Sequence, residues 1–163
     1  MAWLAFALYL TGLFIGFGLR TWLHQRRTGD SGRRFSHASA GTSAWWAQAL
    51  LATGTLGGLV APLLDATGVL DPLAALNHPV AQIVGLTVAV AGFISVPLAQ
   101  GAMGTSWRIG VDAAERTTLV TTGVFRLVRN PVFTAMIVAM VGITTMTPTW
   151  AQLLVLAAVI LGI

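Results

Sequence analysis

Cysteine is absent from this chain of 163 residues. That excludes a disulfide framework and any thiolate metal site. Lysine is absent as well, and all nine basic residues are arginine. Charge of either sign is scarce, at 9% of residues against 56% hydrophobic. Soluble domains run near a quarter charged, about 25%. So few charges leave a folded surface without a polar cover, and the bilayer is the natural solvent for the chain. There is no Ser/His/Asp arrangement, no pair of carboxylates and no phosphate-binding P-loop. Nucleophilic and phosphoryl-transfer chemistry therefore have no support. His24, His37 and His78 are scattered without ligand spacing, so no metal site is expected.

Long apolar runs fill the chain instead. A membrane helix needs about 20 mostly apolar residues. The hydropathy predicts an all-α, polytopic membrane bundle of about five transmembrane helices in a single domain. The spans are placed at about 1–19, 43–64, 79–102, 131–146 and 149–163. Met1–Leu19 lacks the basic start and the cleavage site of a signal peptide. Trp45-Trp46 opens the second span as an interfacial pair. Pro97, near the end of the third, is expected to kink it or mark a local opening. A helix from Thr149 to Ile163 rises only about 22 Å at 1.5 Å per residue. The sequence is therefore expected to stop short of the natural C-terminus.

The arginines fall on alternate connections. Arg20, Arg26, Arg27, Arg33 and Arg34 follow the first span, and Arg108, Arg116, Arg126 and Arg129 follow the third. The connection between spans two and three carries Asp65 and Asp71 and no arginine. The positive-inside rule then puts 20–42 and 104–130 in the cytosol and the N-terminus outside. The segment from Arg20 to Arg34 is read as a flexible loop lying against headgroups. Contact with anionic lipids suits this charge better than contact with nucleic acid, which is not expected as a partner. Gly12, Gly16, Gly18, Gly54, Gly57 and Gly58 let helices approach closely, for packing within the chain or, less simply, along a dimer seam. The oligomeric state is left open.

Chemistry concentrates between Gly104 and Phe133. Trp107-Arg108 reads as an interfacial anchor, and Asp112, Glu115 and Arg116 as solvated residues. Thr117-Thr118-Leu119-Val120-Thr121-Thr122-Gly123 is β-branched and rich in hydroxyls, hence extended or looped. Val124 to Arg129 is expected to form a helical turn. Asn130-Pro131 then pairs a strong N-cap with a residue at home in the first helical position. A helix start carries partial positive charge and unpaired N–H groups. Arg126 and Arg129 add full charges there. The result is a candidate anion site at the membrane face, or simply a capped helix with snorkelling arginines.

These residues resemble the isoprenylcysteine carboxyl methyltransferase family and its phospholipid-methyltransferase relatives. That family carries a Thr-Leu-Val-x-x-Gly-x-Tyr/Phe run followed by Arg-His-Pro-x-Tyr entering a membrane helix. The matching residues are Thr118-Leu119-Val120, Gly123, Phe125 and Arg129-Asn130-Pro131-Val132-Phe133. Met103-Gly104-x-x-Trp107-Arg108 also resembles bacterial members, and the close match covers about 103–142. The resemblance implies an S-adenosylmethionine-dependent methyltransferase of a bacterial cytoplasmic membrane, acting on a lipid-like or prenylated acceptor. It implies that Thr117, Thr118, Leu119, Val120, Phe125, Asn130, Pro131, Val132 and Phe133 line the cofactor pocket. It implies further that Arg129 orients an anionic group during catalysis. Asn130 and Phe133 stand where the family usually has His and Tyr, so neither position can serve as a general acid or base near neutral pH. The family places an Arg, a Glu and a further cofactor-contacting segment after its last membrane helices, beyond Ile163. Two competing readings are a sterol-reductase-like enzyme using NADPH and a non-catalytic, lipid-binding membrane scaffold.

Overall fold

The computed structural model describes residues 1–34, 38–110 and 120–163. Three helices among them are long and apolar enough to cross a membrane: α1 (Ala2–Thr28), α2 (Ser43–Ala66) and α3 (Pro79–Ala102). Two shorter apolar helices accompany them, α4 (Pro131–Met146) and α5 (Trp150–Gly162). Capping marks where they start. Thr42, His78, Asn130 and Thr149 each accept an N–H of the first helical turn through the side chain. In α3 and α4 a proline follows the cap directly. Its missing N–H is no loss there, because that donor has no partner inside the helix.

The first helix does not end at Leu19. It continues through a single π-helical turn, Phe14–Leu19, to Thr28, and stops at Gly29 in the left-handed conformation (φ 75°). Much of the arginine-rich segment expected to be a loop is thus an ordered extension of α1. α3 likewise continues through Pro97 to Ala102.

Small residues set the packing. α3 and α4 run antiparallel with their backbones in contact. A Cβ on Gly92 would overlap the backbone of Ala139, and one on Gly142 the backbone of Ala89. Gly54 and Gly57 admit Val159 and Val155 of α5, and Gly58 admits the Tyr9 ring of α1. Gly12 faces Phe93 and Gly16 faces Val96. Five of the six glycines singled out from sequence therefore pack within the chain. Gly18 meets only Phe14 of its own helix. In a bilayer such close approach, not hydrophobic exclusion, holds helices together. The buried core is built on Ala5, Tyr9, Ala89, Met140, Ile143, Met146 and Val159. The Tyr9 hydroxyl donates to the Thr55 carbonyl at 3.0 Å, tying α1 to α2.

Two short parallel strands, β1 (Arg33–Arg34) and β2 (Ile109–Gly110), join the ends of α1 and α3, with Arg33 opposite Ile109.

Candidate functional site

The residues of the predicted anion site lie around the start of α4. Val120 is half-buried, and the chain reaches a 3₁₀ turn at Gly123–Arg126. Gly123 enters that turn at φ 61°, a conformation that disfavours a side chain. The turn half-buries Phe125 and leaves Arg126 exposed. Leu127, Val128, Arg129 and Asn130 follow, all exposed, with Leu127 at 85%. Pro131 is buried, and Val132 and Phe133 are half-buried.

Asn130 caps the helix. Its Oδ1 accepts the Phe133 N–H at 3.1 Å, while its carbonyl accepts the N–H of Thr134 at 3.1 Å and the hydroxyl of Thr134 at 3.0 Å. Pro131 has no N–H to offer. Among the described residues, only the Val132 N–H of this first turn has no protein acceptor. The bare helix terminus is thus poorer in free donors than the sequence alone implies. The positive charge of this end of the helix comes mainly from Arg126 and Arg129. Neither has a hydrogen-bond or ion-pair partner among the described residues.

The structure places Phe125 in the 3₁₀ turn, Arg129 and Asn130 in the connection that follows, and Pro131, Val132 and Phe133 in the first turn of α4, with Val120 just upstream. Thr117, Thr118 and Leu119 lie outside the described residues, as do His37, Asp112, Glu115 and Arg116.

A second polar cluster escaped the sequence reading. Trp107, expected at the interface, is buried at 2% exposure. It sits against the His24 ring at 5.3 Å between centroids and beneath the Arg20 guanidinium at 5.2 Å. Arg20 Nη2 donates to the carbonyls of Gln100 (3.0 Å) and Gly104 (3.3 Å). Buried Gln100 donates through Nε2 to the Gly16 carbonyl, inside the π turn, at 3.0 Å. Arg108 Nη1 lies 3.3 Å from His24 Nε2, and its Nη2 3.8 Å from Asp30. Asp30 is gripped by both terminal nitrogens of Arg34. The hydrogen bonds from Arg34 and from the Gly32 N–H hold its carboxyl well below the usual carboxylate range. One signal was legible. Gln100 is a polar side chain within an apolar span, and such residues find partners inside a bundle.

A sequence model described as phospholipid methyltransferase matches residues 80–163, just over half of the chain. The chain belongs to the phospholipid methyltransferase family. The family match begins at the second residue of α3 and takes in β2, the 3₁₀ turn, α4 and α5. α1 and α2 lie outside it. No curated protein and no solved structure matches the chain. Family membership and three long apolar helices together make this a membrane protein of methyltransferase type. The relationship inferred from the Thr118 to Phe133 motif is borne out at that level.

Proposed function

We propose that this phospholipid methyltransferase family member transfers a methyl group from S-adenosylmethionine to a hydrophobic or lipid-linked acceptor. The acceptor atom would be a carboxylate, amine or thiol, presented at the arginine-bearing, cytosolic face of the membrane. The observation that carries this reading is the start of α4. Arg126 and Arg129, without a partner among the described residues, precede the Val132 N–H, which has no acceptor among them either. Half-buried Phe125 lies in the preceding 3₁₀ turn and half-buried Phe133 in the first turn of α4. This donor set fits a ligand with a carboxylate at one end and a flat heterocycle at the other.

When bound, the cofactor supplies a methyl group on a sulfonium. The protein has to align that methyl with the acceptor and keep water away. Arg129 would hold an anionic group by charge. Asn130 would fix the helix start, and Phe125, Pro131, Val132 and Phe133 would shape the pocket wall together with Thr117, Thr118, Leu119 and Val120. A carboxylate or thiolate acceptor needs no base, and an amine need only arrive neutral. The absence of an acid/base pair at Asn130 and Phe133 is compatible with such a displacement. In the cytosolic orientation, α4 and α5 would complete a five-helix bundle, with the acceptor entering sideways from lipid.

Calorimetric titration of the purified chain with S-adenosylmethionine and with NADPH tests the reading. Binding of the first and not the second is expected, and Arg129→Gln should weaken it about tenfold, the scale of one charge-assisted contact. Binding of NADPH alone, or of neither, refutes it.

A further inference from the structure

α1 and α3 run side by side in the same direction, but they do not close along their whole length. Between them lies a groove of about 270 Å³, lined by Leu8, Thr11, Ile15, Phe93, Ile94 and Leu98 among others. The Thr11 hydroxyl is spent on the Ala7 carbonyl at 2.8 Å, so the wall presents hydrocarbon. Ile94 and Leu98 are 56% and 68% exposed. The groove therefore opens sideways, toward lipid.

Its depth is informative. Ile15 and Leu8 lie five and twelve residues before Arg20. At 1.5 Å per residue the lining runs from about 7 to 18 Å below Arg20. Half of a hydrocarbon core of about 30 Å is about 15 Å. The groove thus lies mostly in the leaflet on the Arg20 side and ends near the midplane. Charge favours the same occupant. Arg20 keeps a buried Nε without a partner among the described residues. Arg27 lies two turns on, on the same helical face. The single acid of this segment, Asp30, is engaged by Arg34 and Arg108.

We propose that this groove binds one acyl chain of an anionic phospholipid, with the lipid phosphate on Arg20 and Arg27. The site is distinct from the α4 start and stands whether or not the chain transfers methyl groups.

The test is native mass spectrometry of the full chain in detergent, with equimolar phosphatidylglycerol and phosphatidylcholine of identical chains. Phosphatidylglycerol should be retained at least fivefold over phosphatidylcholine, about fivefold being the increment expected from each arginine beside an anionic headgroup. Arg20→Lys should keep that preference and Arg20→Gln should lower it about fivefold. If circular dichroism shows Arg20→Gln unfolded, Arg27→Gln carries the same comparison. Ile94→Trp and Leu98→Trp, at exposed positions that fill the groove, should lower retention of both lipids. Excess glycerol 3-phosphate, which has no chain, should not displace the lipid. Equal retention of the two lipids by the unmodified chain overturns the proposal, as does unchanged retention in both tryptophan variants.

Discussion

The guanidinium of Arg20 lies over the indole of Trp107, 5.2 Å from the ring centroid, although 86 positions separate them in sequence. One belongs to the extension of α1 and the other follows the end of α3. Their contact closes the polar end of the bundle over Gln100 and His24. Trp107→Ala should therefore destabilise the chain by about 3–5 kcal/mol, the range for truncating a buried aromatic. Reversible unfolding in mixed micelles measures this. A loss below about 1 kcal/mol would mean the indole is not part of the packed structure.

The α3–α4 contact predicts opposite outcomes for two glycine substitutions. Gly142→Ala places a methyl group against the Ala89 backbone and should cost about 1–3 kcal/mol through overpacking. Gly101→Ala, in the same helix as Ala89, meets nothing within 4 Å. It should stabilise by about 0.5–1 kcal/mol, because alanine loses less backbone entropy than glycine. Equal effects in thermal unfolding would contradict the close approach of the two helices.

Asn130 performs a structural task that can be separated from ligand binding. Asn130→Ala removes the cap on Phe133 and should cost about 1 kcal/mol. Asn130→Asp keeps the acceptor and adds a negative charge that the helix start favours by about 0.3–1 kcal/mol. The same charge would repel a bound carboxylate. Stability maintained together with weakened S-adenosylmethionine binding is the expected pair of results. Unchanged affinity in Asn130→Asp would remove the carboxylate from this helix start.

Asp30 has a depressed carboxyl pKa, chiefly through its hydrogen bond from Arg34. A group depressed on folding stabilises the native state above its unfolded pKa, about 3.9 for Asp. That contribution is lost only as pH falls from there toward the lower folded value. The hydrogen bonds that Asp30 accepts from Arg34 and Gly32 should hence survive acidification from pH 6 to pH 4. Hydrogen exchange at the Gly32 amide, which donates to Asp30 Oδ1 at 3.0 Å, reads this directly once rates are corrected for intrinsic pH dependence. Loss of protection already near pH 5 would show that the carboxyl is not held low.

Local features were legible because they depend on neighbours a few residues apart. Hydropathy marks the long apolar helices, and Asn130-Pro131 places the start of α4 at the residue observed. The same locality explains one misreading. Arg20–Thr28 has the charge of a solvated loop, yet it extends a helix already nucleated upstream, where each further residue adds a hydrogen bond without a new nucleus. The sequence by itself determined a helical membrane protein, the distribution of its arginines and a motif whose family match spans 80–163. Only the tertiary structure decided which faces meet. Lipid tails are as apolar as leucine, so hydropathy cannot tell a residue that faces lipid from one that faces another helix. The burial of Trp107, the contact of Gly142 with Ala89 and the groove beside Phe93 all rest on pairings across the bundle. That Val132 keeps an N–H without an acceptor among the described residues rests on geometry as well, because only the folded cap reveals which donors Asn130 engages.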